Sequence, residues 1–449
     1  MSPKPRPALP PGPYLVVGLA RSGVSVALAL RARGEEVIGC DAGAPEKPEL
    51  SAAAGRLQEA GVEVHLDASG DVLAARAGTL IKSPGVPQNV PVVEAARARG
   101  LPVLGELEIA WRLLPNEFVA VTGTNGKTTT TEWIGHVHQE AGLSVHVAGN
   151  VGTAVSSLID SADRDATIVC EASSFQLEDT EAFSPEAAIL LNLEPDHLDR
   201  HGTFEAYVDA KLKVFANQGN DDIAVAPERL DAVEDLGGCA RRVLFGDTQA
   251  AELQTRAGHL WWDERPFIRA DEIALPGAHN LQNAMATAAV CLARAITADA
   301  VAAGLRTFTG VPHRLELIAT HDGVAYVNDS KATNVASTIV ALRSYAGGVH
   351  LIAGGTGKNQ DFTPLAPLVA ERCVAVHLIG RAAPDIGHAL ATTRVRLHAD
   401  HDLETAVDHA RRTAHPGQVV LLSPACASYD QYANFEARGD HFRQLVVGG

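Results

Sequence analysis

Short apolar runs that end in a small or polar residue, each followed by a helical pattern, recur along most of the 449 residues. A parallel sheet demands that alternation, because each buried strand must return to the same edge of the sheet through a crossover helix. In the first third the runs are YLVVG (14–18), EVIGC (36–40), VEV (62–64), TLIKS (79–83) and PVL (102–104). A second series is FVAVTG (118–123), VHVAG (145–149), ATIVCE (166–171) and AAILLN (187–192). After VPHRLE (311–316) a third series follows, with VAYVN (324–328), VHLIAGG (349–355), CVAVHLIG (373–380) and QVVLLS (418–423). The pattern predicts three α/β domains, which fits a prior of roughly 150 residues per domain.

Hydrophobic residues at 46% and charged residues at 20% specify packed cores rather than disorder. A formal charge of −17 excludes a non-specific nucleic-acid binder, so an anionic ligand needs local positive groups. The six cysteines are scattered with no C-x-x-C pair, which points to reduced thiols rather than zinc or a disulfide framework. Residues 1–13 read as a flexible proline-rich tail, and Arg21 interrupts the apolar run behind it after seven residues, too soon for a signal peptide. With no run of about 18 apolar residues, the expectation is a soluble protein without a membrane partner.

Strand ends carry the chemistry-bearing motifs. Gly18, Ala20 and Gly23 spell G-x-A-x-x-G between a strand and a helix, with Asp41 ending the next strand. A nucleotide-type ligand and simple tight strand-to-helix packing both account for it, since Ala20 replaces the glycine that admits a pyrophosphate. SPGV (83–86) is a second polar turn on the same edge. TGTNGKTT (122–129) is more specific: Gly123, Asn125 and Gly126 lie between strand and helix, so backbone N–H groups face phosphate oxygens that Lys127 neutralises, while Thr128 offers a hydroxyl to magnesium. Val121 stands where the usual phosphate loop has its first glycine.

Glu171 ends the strand ATIVCE and Asp196–His197 follow the strand AAILLN, so both lie at strand C-terminal ends where α/β sheets bind ligands, and hard oxygens with an imidazole near phosphate suggest magnesium. On a helix over 204–217, Phe204, Tyr207, Val208, Val214 and Phe215 share one arc with Lys211 in its middle, while Lys213 points away. Lys211 is then a snorkelling side chain, which the pattern alone favours, or a desolvated amine with a depressed pKa. In the third series DSKATN (329–334), GGTGK (354–358) and SPACAS (423–428) mark a ligand edge, and Arg314 stands at the junction before it.

These motifs, with EASSFQLE, EPDHLDRHG, AYVDAK, GAHNLQNA, GVPHRLE and LLSPACASYDQYANFEARGDHF, resemble the Mur ligase family from about residue 14 to about residue 445. NDSKATN and the last motif resemble most its members that add D-glutamate to UDP-N-acetylmuramoyl-L-alanine. The resemblance explains Val121, because the loop of this group is shorter. It implies a Rossmann-like UDP-sugar domain (14–105), a central P-loop ATPase-like domain (106–310) and a C-terminal Rossmann-like domain (311–449) that binds D-glutamate and closes over ATP. It also implies an ATP-dependent carbon–nitrogen ligase of peptidoglycan precursor synthesis, cytoplasmic and monomeric, working through an acyl phosphate.

Carried over residue by residue, the resemblance assigns Gly123, Thr124, Asn125, Gly126, Lys127, Thr128 and Thr129 to the ATP phosphates. Asn280, Asn283, Arg314, Asp329 and Lys331 complete the ATP contacts. Thr128 and Glu171 match a first magnesium site; His197 and Lys211 match a second, where the family lysine is carbamylated. Lys127, His197 and Lys211 take the catalytic roles. Ser22, Asp41, Ser83 and Asn150 resemble UDP-sugar positions, and Thr333, Lys358, Ser428 and Phe435 match the D-glutamate region. Thr356 departs from relatives that have Asp there. A nicotinamide-dependent oxidoreductase, read from Gly18–Gly23 and Asp41, leaves the phosphate loop unexplained. A non-catalytic nucleotide-sugar-binding relative would have no use for Lys127, Glu171, His197 and Lys211 together.

Overall fold

The computed structural model describes residues 4–150, 152–357 and 360–448. It is mixed α/β with three sheets. The first contains β1 (Tyr14–Val17), β2 (Val37–Cys40), β3 (Glu63–His65), β4 (Thr79–Lys82) and β5 (Val103–Gly105), all parallel, in the order β3-β2-β1-β4-β5. Chain order reverses beside β1, so the turns after β1 and β4 flank the crevice where such sheets take ligands.

The second sheet contains β6 (Phe118–Thr122), β7 (Val145–Gly149), β8 (Thr167–Glu171), β9 (Ala187–Leu190), β10 (Ile223–Pro227), β11 (Arg241–Gly246), β12 (Leu253–Arg256), β13 (His259–Trp262) and β14 (Arg265–Arg269). Their order is β14-β13-β12-β11-β10-β9-β6-β8-β7. β6, β8 and β9 are buried along their whole length, as continuous Val/Ile/Ala/Leu runs covered on both faces must be. Only β12–β14 turn antiparallel, at one edge. The third sheet contains β15 (Glu316–His321), β16 (Val324–Asn328), β17 (Val349–Gly354), β18 (Cys373–Ile379), β19 (Arg396–His401) and β20 (Val419–Leu422), ordered β15-β16-β20-β17-β18-β19.

The chain divides into two compact units, Met1–Phe308 and Thr309–Gly449. Residues 14–105 and 106–310, separate segments in the sequence reading, share the first unit apart from the last two positions. Ion pairs and hydrogen bonds join its two sheets: Arg33 to Asp160 at 2.8 Å, Lys82 to Asp179 at 2.7 Å, and Ser156 N–H to the Glu106 carboxylate at 2.6 Å.

The expectation of a flexible tail at residues 1–13 is corrected for the described residues 4–13. The Lys4 ammonium donates to Ser184 Oγ at 2.7 Å and pairs with buried Asp222. The Arg6 guanidinium lies 4.6 Å above the Trp111 ring, donates to the Asn116 carbonyl at 2.6 Å and sits 3.1 Å from the Glu186 carboxylate, whose side chain is 2% exposed. Proline content had suggested a solvated tail, but two cations with buried carboxylate partners hold it. Arg6→Ala should therefore destabilise the protein by about 3 kcal/mol, read as a lower urea midpoint, because it strands the buried Glu186 charge.

The six cysteines are unpaired, and among the described residues no helix is long and apolar enough to cross a membrane.

Candidate functional site

β6 runs into the loop Gly123–Gly126 and then the helix Lys127–Glu140. Val121 is interior to β6, in register with Glu171 of β8, so the loop is short because the strand continues past the place of the usual first glycine. Gly126 holds φ +83°, and a Cβ there would lie 2.3 Å from Asn283 Oδ1; no other residue type fits without displacement. No side chain caps the helix start, and a helix N-terminus of this kind is where backbone N–H groups and the helix dipole favour an anion. The Lys127 ammonium curls back over the loop, donating to the carbonyls of Gly123 at 3.0 Å and Thr124 at 2.8 Å. Thr128 is buried, and Thr129 half-buried, on the first turn.

The neighbouring strand ends brace this loop. Beyond β9, Asn192 Oδ1 accepts the Asn125 N–H at 2.8 Å, and Asn125 Nδ2 donates to Glu194 at 3.1 Å. Thr124 Oγ1 and the Tyr207 hydroxyl are 2.9 Å apart. At the end of β8 the buried Glu171 carboxylate accepts from Asn150 Nδ2 at 3.1 Å. His197 is half exposed, 3.4 Å from Asp196 and with its ring 4.8 Å from that of Phe175.

Lys211 lies on the helix Phe204–Ala216, whose N-cap Thr203 accepts from Ala206 N–H. Of the predicted arc Tyr207, Lys211, Val214 and Phe215 are buried and Phe204 and Val208 half-buried, while Lys213 is exposed. Snorkelling, favoured from the pattern alone, is overturned: Lys211 is 1% exposed, and its ammonium donates inward to the Gly123 carbonyl at 2.7 Å, 4.6 Å from the Tyr207 ring centre. Desolvation and then the Lys127 charge lower its pKa to about 7, against the pull of Asp196 and Glu171.

In the first sheet, Gly18 and Ser83 face each other at the crevice, the Ser83 hydroxyl donating to the Gly18 carbonyl at 2.6 Å. A Cβ on Gly23 would fall 1.9 Å from that same carbonyl, which is the packing explanation of the G-x-A-x-x-G motif. Asp41 accepts backbone N–H bonds from Leu19 and Gly43, each at 2.7 Å, so its carboxylate holds this turn. Ser22 is half-buried in the first turn of the helix Arg21–Ala32.

Asn283 and Asn280 lie on the helix Ala278–Ala293; the former packs against Gly126, and the latter donates to the Pro276 carbonyl at 2.8 Å.

In the second unit the three polar clusters follow β16, β20 and β17, which are neighbours. The Ser423 hydroxyl donates to Asp329 Oδ2 at 2.7 Å, Gly354 N–H to the Pro424 carbonyl at 2.8 Å, and Thr356 N–H to the Ala427 carbonyl at 2.8 Å. Thr356 thus forms a backbone bridge to Ala427. Lys331 and Thr333 are half-buried in the turn after β16, Arg314 is exposed before β15, and Ser428 is buried after β20. Phe435 starts the helix Phe435–Val447, its carbonyl accepting from Ser330 Oγ at 2.8 Å. Lys358 lies outside the described residues.

Burial pushes the Asp329 carboxyl up to about 7, more than Ser423, the Leu315 N–H and Arg314 pull it down. A carboxyl raised in the folded state binds its proton more tightly there, so its contribution to stability is full below pH about 4 and is lost as pH rises to about 7. Asp329→Asn should flatten that part of the stability profile in urea titrations at pH 5 and pH 7.

Two family descriptions match the chain: the Mur ligase middle domain over residues 121–291, and the Mur ligase glutamate ligase domain over residues 313–426. The UDP-N-acetylmuramoylalanine–D-glutamate ligase of Pelotomaculum thermopropionicum is 42% identical, over 96% of this chain and 97% of its own length. The chain belongs to the Mur ligase family. The enzyme of the same name from Acidobacterium capsulatum is also 42% identical, covering 96% of this chain and 95% of that one. The fold is shared with the UDP-N-acetylmuramate–alanine ligase of Thermotoga maritima, at TM-score 0.56 and 19% identity over 98% of this chain and 100% of the other. MurF ligase from Thermotoga maritima, solved in complex with ADP, gives TM-score 0.55 at 17% identity over 92% and 96%.

Mur ligase motifs also contain residues whose role the sequence pattern does not reveal. Arg438 is 1% exposed and donates to Ser330 Oγ at 2.9 Å, the Ser330 carbonyl at 2.8 Å and the Cys426 carbonyl at 3.1 Å, tying two of the polar clusters together. Desolvation lowers its pKa to about 10. Asn192, Glu194 and Tyr207 do the same for the phosphate loop. An arginine four residues into a helix reads as surface by default, so only its burial marks it.

Proposed function

We propose that this Mur ligase joins the amine of D-glutamate to the alanyl carboxylate of UDP-N-acetylmuramoyl-L-alanine at the expense of ATP, as a cytoplasmic step of peptidoglycan precursor synthesis. The observation that carries the reading is the uncapped loop Gly123–Gly126 with Lys127 over it, and a buried lysine, Lys211, on the carbonyl of its first glycine. Full-length relatives named for this reaction support it.

In this reading a carboxylate oxygen of the sugar-linked alanine attacks the γ-phosphorus and ADP departs. Both reactants are anions, so the transfer depends on fixed positive charge and oriented N–H groups in an otherwise acidic protein. Loop amides from Gly123 to Thr129 hold the phosphates, and Lys127 neutralises the transferring group. The amine of D-glutamate then attacks the acyl carbon, loses a proton, and phosphate leaves with one oxygen of the former carboxylate.

The donor set fits magnesium: the Glu171 carboxylate and the Thr128 hydroxyl are buried oxygens at the loop, and Asn150 orients the carboxylate. Thr128 and Glu171 would hold one ion, His197 and a carbamylated Lys211 a second; when bound, they supply charge neutralisation to phosphate oxygens. Asn280, Asn283, Arg314, Asp329 and Lys331 serve ATP in this assignment; Ser22, Asp41, Ser83 and Asn150 serve the sugar nucleotide; and Thr333, Lys358, Ser428 and Phe435 serve D-glutamate.

Oxygen-18 placed in the alanyl carboxylate tests the pathway. One labelled oxygen should appear in each phosphate released, with D-glutamate preferred over other amino acids. Unlabelled phosphate would rule out the acyl phosphate.

A further inference from the structure

Away from these clusters, one face of the third sheet carries a concentration of imidazoles. His377 of β18 and His398 of β19 are register partners, and Asp400 lies two residues further along β19, at a register shift, with its carboxylate against His377. The helix Leu403–Thr413 brings His409 onto them. Asp400 stands between two ring nitrogens, 2.6 Å from His377 Nδ1 and 3.0 Å from His409 Nδ1. The His398 ring centre is 4.0 Å from that of His409 and 5.1 Å from that of His377.

We propose that His377, Asp400 and His409, with His398 as fourth donor, form a binding site for a divalent first-row transition ion, best suited to zinc. One donor atom from each of the first three lies within 4.8 Å of the others. A tetrahedral site with bonds of about 2.0–2.1 Å needs separations of about 3.4 Å, so these three donors close through small side-chain movements, with the His398 ring beside them. Imidazole nitrogens with one carboxylate select zinc, copper or nickel over magnesium and calcium, which take oxygen.

Binding at the two Nδ1 atoms leaves His377 Nε2 facing His350 Nδ1 at 3.5 Å, and His350 Nε2 is 3.1 Å from Gln418 Oε1. Such a chain orients a ligating ring from behind. Asp400 and His377 are buried, but the His409 side chain is 28% exposed and provides a way in. A hydrogen-bonded His–Asp–His link needs only three of these groups; His398, a third imidazole beside them, would bring the donor number to four. Its ion would pin the helix Leu403–Thr413 to β18 and β19.

The test uses the full chain without a histidine tag, stripped of metal and held in excess Mg2+ to occupy oxygen-rich sites. Zn2+ titrated against a chromogenic chelator should bind at one equivalent per chain and raise the melting temperature. Co2+ in its place should give the visible absorption bands of a tetrahedral centre. His409→Ala, at a partly exposed position, should weaken binding at least about 10-fold and abolish the Co2+ bands, and Asp400→Asn should do the same if it folds. Absence of stoichiometric binding, or binding and bands unchanged in His409→Ala, overturns the site and leaves a hydrogen-bonded histidine–aspartate link.

Discussion

Lys127→Ala should lower D-glutamate-dependent phosphate release by about 10²- to 10³-fold, the usual cost of losing one fixed group that meets charge developing in a transition state. The side chain is only half-buried and its ammonium rests on two loop carbonyls, Gly123 and Thr124, rather than in a hydrophobic core. Its removal should therefore leave the melting temperature nearly unchanged while turnover collapses. The measurement is steady-state phosphate release together with thermal unfolding of the same preparation. A variant that turns over at a near-normal rate would remove Lys127 from the chemistry and with it the phosphate-loop reading.

Replacing Lys211 by alanine should cost on the order of 10²-fold or more in the same assay. Here the reason is a reactive amine rather than a donor at phosphate. With a pKa of about 7 against 10.5 for an ordinary lysine, about half of the Lys211 side chains are neutral at pH 7, where an ordinary lysine has roughly one in three thousand. Carbon dioxide adds only to the neutral form. Because the pKa is depressed, lowering the pH protonates the amine: the neutral fraction falls from about nine-tenths at pH 8 to about one-tenth at pH 6. Enzyme prepared in CO2-free buffer should lose activity, most severely below pH 7, and bicarbonate should restore it. Carbon-13 bicarbonate should give a carbamate resonance that Lys211→Ala lacks. Activity indifferent to CO2, with no such resonance, would refute carbamylation while leaving the role of Lys127 untouched.

Regions that are buried on both faces were the easiest to read in advance. FVAV and IVC form apolar runs, and the structure places β6 and β8 there, side by side in the second sheet with β7 beyond them at the edge. The strands missing from the sequence pattern are β10–β15 and β19: β13 (HLWW) and β15 (ELIATH) lie toward sheet edges, where exposure lets polar residues break the run, whereas β10 (IAVAP) is central and buried over its first four residues. The proline-rich start misled for a related reason. Its composition looks solvated, yet Lys4 and Arg6 are held by carboxylates far along the chain, Asp222 and Glu186.

By itself the sequence determined the strand–loop–helix that presents the phosphate loop, because glycines at a strand end, a lysine and an uncapped helix start are local features. It also determined which helix face Lys211 occupies, since 3.6-residue periodicity is local too. Only the tertiary structure decided that this lysine points inward to the Gly123 carbonyl instead of reaching water. The depressed pKa depends on what packs over the amine and on the charges that face it, here Tyr207 and Lys127, and no spacing along one helix encodes that. The same holds for Arg438 and for the histidines around Asp400: residues far apart in the chain acquire common chemistry only when parallel strands set them side by side.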